Sequence, residues 1–220
     1  MNKKAKISLI ILGCFFLLSL VFSILLLTVD VRASYNNDKL GLATFNEKVY
    51  QTIGESNFWY VLTQILGYLS IAVVIFFAVI GVIQLIKNKS IKKVDKEIIG
   101  LGVVYIVIAV IYVFFEKVVV VNYRPILENG ERAASFPSSH TLLACVVLST
   151  SLLEAKKLIK NEFIKNNLVY LLEFLVILMI GGRLLSGVHW ISDIIASVLY
   201  SSVIVSAYYF MMYYFEEKKE

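Results

Sequence analysis

Long apolar runs alternate with short polar segments along this chain. Three runs without a charged residue, Ile7 to Val29, Trp59 to Ile86 and Ile194 to Phe215, each reach the roughly 20 apolar residues a helix needs to cross a bilayer. A shorter uncharged run, Ile98 to Phe115, extends through Val118 to Val121, and Leu168 to Ile180 is broken only by Glu173. A sixth run, Thr141 to Leu153, is too short alone, so its helix must begin within the polar segment Ser135 to His140. The pattern predicts an all-α polytopic membrane protein, a six-transmembrane-helix bundle forming a single domain over residues 1–220. Between the first two runs, Leu42, Phe45, Val49 and Ile53 recur at helical spacing among Asn46, Glu47, Gln51 and Glu55. That spacing predicts an amphipathic helix, which either lies in the membrane interface or caps the bundle.

Composition agrees with lipid as the main solvent: 59% of residues are apolar, against about 45–50% in soluble domains, and the mean hydropathy is +0.81. The formal charge of +5 is explained by topology rather than by nucleic acid, which is not expected as a partner. Lysines cluster at positions 3–6, 87–96, 156–165 and 218–219, all on one side of the six-span arrangement. By the positive-inside rule this side is cytoplasmic, and both termini lie on it. The other side holds Arg32, Lys39, Lys48, Lys117, Arg124, Arg132 and Arg183. The first run follows Lys3, Lys4 and Lys6 and precedes a loosely cleavage-like Val31-Arg32-Ala33. It exceeds the roughly 7–15 apolar residues of a signal peptide, so residues 1–29 are expected to stay as an anchor. Cys14 and Cys145 lie in separate apolar runs without metal-ligand spacing.

Chemistry concentrates in three polar clusters at the outer ends of predicted spans. They are Lys117 to Pro125, Ser135 to His140, and Gly182 to Asp193, and the last two hold the chain's two histidines, His140 and His189. Polar backbone at membrane depth is tolerated where it lines a watery cavity, so one shared site is geometrically allowed. Lys117, Arg124 and Arg183 offer charge-assisted hydrogen bonds to an anion of phosphate type. Pro137 and Ser138 read as a helix entry, with Ser138 as N-cap and free amides beside it that attract phosphate. His140 then projects from the first helical turn, where an imidazole can protonate a leaving oxygen. Four residues separate His189 from Asp193, which puts them on one helical face. A carboxylate there can set the ring tautomer and leave the other nitrogen's lone pair free as a nucleophile; the plainer reading is a capping pair. Glu173 is expected at an interface or in helix pairing, and Trp59, Trp190, Tyr213 and Tyr214 in aromatic belts. Gly181, Gly182 and Gly187 are expected to make the joint between the last two spans.

These clusters resemble the type 2 phosphatidic acid phosphatase (PAP2) superfamily, whose motifs read K-x6-R-P, P-S-G-H and S-R-x5-H-x3-D. Lys117-x6-Arg124-Pro125, Pro137-Ser138-Ser139-His140 and Arg183-x5-His189-x3-Asp193 follow in the same order, and the likeness covers residues 40–206. The resemblance implies that Lys117, Arg124 and Arg183 bind phosphate, helped by Ser138 and the amides near Ser139. It implies that His189 attacks phosphorus to form a phosphohistidine that water hydrolyses, with His140 as acid and Asp193 orienting His189. No metal and no other cofactor are implied, since fixed cations do the electrostatic work. Ser139 stands where the pattern has Gly, and Gly182 where it has Ser. The expected function is an integral membrane lipid phosphate phosphatase, multi-pass in a bacterial plasma membrane, acting at the outer face among membrane lipids. Undecaprenyl diphosphate, phosphatidate and phosphatidylglycerophosphate are all compatible substrates. The rival readings are an anionic-lipid transporter or flippase and a catalytically silent lipid-phosphate-binding relative.

Overall fold

The computed structural model describes residues 3–33, 39–127 and 132–217. Lys218 and Lys219, which entered the charge reading, lie outside the described residues. The helices are α1 (Lys3–Thr28), α2 (Ala43–Ile53), α3 (Asn57–Asn88), α4 (Lys96–Val113), α5 (Ser139–Leu158), α6 (Glu162–Leu185) and α7 (Ile191–Glu217). A two-residue antiparallel ribbon, β1 (Arg32–Ala33) with β2 (Lys39–Leu40), follows α1. By length and apolarity α1, α3, α4 with its continuation to Val118, α6 and α7 are able to cross a membrane. Their outward faces carry Leu17, Leu27, Tyr68, Ile86, Ile106 and Ile177, all strongly exposed. A water-soluble surface rarely gathers so much apolar area.

The sixth predicted run behaves differently. α5 begins at Ser139, inside the polar segment, but it is enclosed by α3, α4, α6 and α7. Leu142, Val146 and Val147 meet Phe77, Leu101, Val104 and Tyr208 in one cluster, while Ala144 and Leu148 meet Leu66, Leu172 and Met179 in another. A helix that faces protein all round need not be uniformly apolar, and Thr141, Thr150, Ser151 and Glu154 are buried on it. Glu154 accepts the Tyr208 hydroxyl at 2.8 Å. Ser197 of α7 donates to the carbonyl of Ser138 at 3.0 Å, and Ser201 donates to that of Leu142 at 3.4 Å. Small residues on that face bring α7 backbone-close to the start of α5.

Three sequence expectations need correction. The helix of the fourth run does not extend to Val121: after Val113 it widens into a π-helical turn, Phe114–Val118, and Val119 N–H bonds the carbonyl of Phe114 at 2.9 Å before the chain becomes extended. Gly181 and Gly182 lie inside α6 rather than at a joint, and only Gly187 turns the chain, with φ of 72°. A Cβ at Gly187 would stand 2.5 Å from the carbonyl oxygen of Gly54, so the close approach as well as the dihedral requires glycine there. Trp190 is a buried residue rather than part of a belt. Its indole N–H donates to the carbonyl of Tyr123 at 2.7 Å, and its ring packs on Leu40, Ala43 and Tyr50.

Helix α2 caps the bundle. Its inward face is led by Asn46 rather than by the spaced apolar residues, and Phe45 points outward. Asn46 donates to the carbonyl of Gly41 and to Ser192 Oγ, both at 2.9 Å, and accepts the Ser192 N–H at 3.1 Å. One buried amide thereby ties α2 to the first turn of α7.

Candidate active site

Two chain crossings bring the polar clusters together. Tyr123 and Ala134 form an isolated antiparallel bridge, with Arg124 N–H on the carbonyl of Ala133 at 3.0 Å and Ser135 N–H on that of Asn122 at 2.9 Å. This joins the first cluster to the second. The third is joined through Asn122, whose amide donates to Asp193 Oδ1 at 2.8 Å, and through Ser135, whose carbonyl meets His189 Nδ1 at 3.0 Å. The resulting cavity of about 140 Å³ is lined by Arg124, Ser135, Pro137, Ser139, His140 and His189, with Glu116 and Phe115 at one side.

His189 lies in the short link between α6 and α7 and is 4% exposed. A carbonyl oxygen only accepts, so the contact with Ser135 puts the ring proton on Nδ1 and leaves a lone pair on Nε2. Arg183 Nη2 stands 3.4 Å from that Nε2. Burial, then the Arg183 and Arg124 cations, hold the His189 pKa well below its ordinary 6.5, against a smaller opposing effect of the Ser135 carbonyl. That direction favours the neutral ring at physiological pH.

Asp193 is fully buried and stands 3.8 Å from His189 Nδ1, within ion-pairing range but beyond a hydrogen bond. Its Oδ2 accepts the Trp190 N–H at 3.1 Å. That is one half of a capping box at the start of α7, in which the third helical residue accepts the N-cap N–H. Asp193 thus caps α7, and its carboxyl group lies beside the ring that Ser135 orients.

Arg183, in the last turn of α6, is 1% exposed. Its Nη1 donates to Thr63 Oγ1 at 3.2 Å, and its Cζ lies 5.6 Å from the centroid of the Tyr60 ring. His140 lies in the first turn of α5, against Gly67 of α3. A Cβ at position 67 would come within 2.6 Å of His140 Cδ2, so the ring occupies space that only glycine leaves. Its Nδ1 is buried without a hydrogen-bond partner among the described residues.

Ser138 takes the N-cap position of α5, but its hydroxyl pairs with that of Thr141 at 2.9 Å and does not line the cavity; Ser139 does. Lys117 is set apart from the cage. It is 72% exposed, sits in the π-helical turn and pairs with Glu116 at 3.7 Å, while Glu116 turns to the cavity. Sequence reasoning assigned no role to Asn122, Ser135, Thr63, Tyr60 or Gly67. Asn122 and Ser135 stood within the clusters, whereas Thr63, Tyr60 and Gly67 carried no motif that pointed to a site on α3. Glu173 is exposed on α6 and lines neither cavity nor groove.

A second space adjoins the first. An apolar groove of about 360 Å³ runs between α3 and α4 and is lined by Gly67, Ile71, Val74, Tyr105, Ile108 and Ala109; His140, Ser139 and Leu142 line both spaces.

Comparison with known proteins gives the same family as the motifs. The family model described as PAP2 superfamily matches residues 98–217, more than half of the chain. Among solved structures, the chain is similar to the crystal structure described as the first transmembrane PAP2 type phosphatidylglycerolphosphate phosphatase from Bacillus subtilis. Identity is 17%, the TM-score is 0.61, and 95% of this chain and 97% of that one are covered. No curated protein sequence matches the chain.

Proposed function

Because the chain belongs to the PAP2 superfamily, we propose that it is a metal-independent lipid phosphate phosphatase working through a phosphohistidine. The observation that carries this reading is the neutral His189 with its lone pair on Nε2, set beside Arg183 in a cavity that Arg124 and His140 also line. Arg183 and Arg124 hold the phosphate oxygens, and exposed Lys117 attracts the dianion from the rim. His189 Nε2 attacks phosphorus, the bond to the leaving oxygen breaks, and His140 gives that oxygen a proton. Positive charge on the His189 ring is met by the Asp193 carboxylate and the Ser135 carbonyl. Water then attacks phosphorus and gives a proton to His140, the bond from phosphorus to Nε2 breaks, and inorganic phosphate leaves.

The groove between α3 and α4 suits the apolar tail of such a substrate, since it meets the cavity at His140 and its lining is mostly apolar. This favours a lipid phosphate over a soluble ester, and hydrolysis over transport, because binding alone has no use for an oriented nucleophile beside a separate acid. In this reading α5, about 30 Å long at helical rise, makes the sixth crossing, both termini are cytoplasmic, and the cavity faces outward. A monophosphate such as phosphatidate or phosphatidylglycerophosphate and a diphosphate such as undecaprenyl diphosphate all present the same group to the cage. The deciding experiment is phosphate release by purified protein from this panel, with EDTA present throughout. Undiminished turnover in chelator is expected. Loss of turnover on chelation sinks the metal-free mechanism, and no release from any lipid favours a binding or transport role.

A further inference from the structure

Gly182 immediately precedes Arg183, and α3 presses against it. A Cβ at Gly182 would stand 2.8 Å from Thr63 Cγ2 and 3.2 Å from Trp59 Cε3. A side chain and Thr63 therefore compete for one volume. Thr63 is fully buried, and its hydroxyl donates to its own helix, with the carbonyl of Trp59 at 2.8 Å and that of Tyr60 at 2.9 Å. A hydroxyl has one hydrogen and two lone pairs. With the hydrogen turned to backbone, what Thr63 offers Arg183 Nη1 at 3.2 Å is an acceptor. Tyr60 lies three residues earlier on the same helical face, with its ring toward the same guanidinium.

We propose that Thr63 is a positioning residue of the phosphate site, occupying the volume a side chain at 182 would need and holding Nη1 so that Nη2 stays turned toward His189. The proposal rests on reading the cavity as a phosphate site. It also accounts for Gly182, which stands where the family pattern has Ser: in this chain the hydroxyl beside the arginine comes from α3, and the residue on α6 makes room for it. Sequence spacing could not show the exchange, since the two positions are far apart in the chain.

The test uses the full chain purified in detergent, with release from a lipid phosphate and inhibition by inorganic phosphate as separate readouts. Thr63→Val keeps the volume and removes the acceptor. It is expected to lower kcat/KM about tenfold, the scale of one hydrogen bond to a charged group, mainly through KM. The inhibition constant for phosphate should rise in parallel, with thermal stability near wild type. Thr63→Ser keeps the hydroxyl and should retain the wild-type KM. Gly182→Ser alone should be impaired, and Thr63→Ala with Gly182→Ser should recover above either single change. An unaltered KM and phosphate inhibition in Thr63→Val overturns the proposal, as does a double variant that only sums the two losses. A wild type that neither hydrolyses lipid phosphates nor is inhibited by phosphate overturns the phosphate reading, and this proposal with it. Should Gly182→Ser fail to fold, Thr63→Val decides.

Discussion

At the residue scale, the two histidines differ in what each nitrogen touches. His189 has its Nδ1 proton committed to Ser135 and its Nε2 lone pair turned toward Arg183, whereas His140 offers a buried Nδ1 without a partner among the described residues. His189→Ala is expected to abolish turnover. His140→Ala should lose about 10²–10⁴-fold, the usual share of general acid catalysis; phosphate release under saturating lipid checks both, and near-normal rates in His189→Ala refute the nucleophile. The pH profile supplies a second check. Because the His189 pKa is lowered, the ring keeps its lone pair as pH falls through 6.5 and loses it only further down. The acid limb of kcat/KM assigned to His189 should thus lie below 6.5, once the substrate's own ionisation near about pH 6 is corrected for. A His189 limb at or above 6.5 contradicts this assignment. Motif spacing made His140, His189, Asp193, Arg124 and Arg183 legible in the sequence. The capping bond of Asp193 and the outward position of Lys117 were not, because backbone geometry and a π-helical turn decide them.

At the element scale, α3 contributes more to the site than its largely apolar sequence announces. Gly67 gives room to His140, while Thr63 and Tyr60 meet Arg183. Gly67→Ala should push the His140 ring from its place and lower kcat by about tenfold or more, within the range of acid catalysis. Phosphate inhibition should be kept. Equal loss of phosphate binding would mean that the helix, rather than the ring, had moved. Helix α2 shows a comparable limit. Its apolar spacing made a helix legible, yet the residue that docks it is Asn46, read from sequence as part of the polar face. A polar side chain looks solvent-facing until a partner such as the start of α7 is brought to it.

At the scale of the whole molecule, the polar cavity and the mostly apolar groove between α3 and α4 lie side by side, with His140 in the lining of both. A bulky residue in the groove should then discriminate by tail rather than by phosphate. Ala109→Trp is expected to raise KM for a long-chain lipid phosphate about tenfold or more, roughly the loss of a few buried methylenes. A short-chain, soluble phosphate ester should be unaffected. Equal effects on both would place the tail elsewhere. The sequence by itself determined the membrane class, the helical bundle and the family, because long apolar runs have one stable form in lipid and the motif residues recur at fixed spacing. Only the tertiary structure decided that α5 is the enclosed helix, that Ser135 rather than Asp193 holds the His189 proton, and that α3 supports Arg183. Each of these depends on contacts between segments remote in the chain, where packing selects the partner.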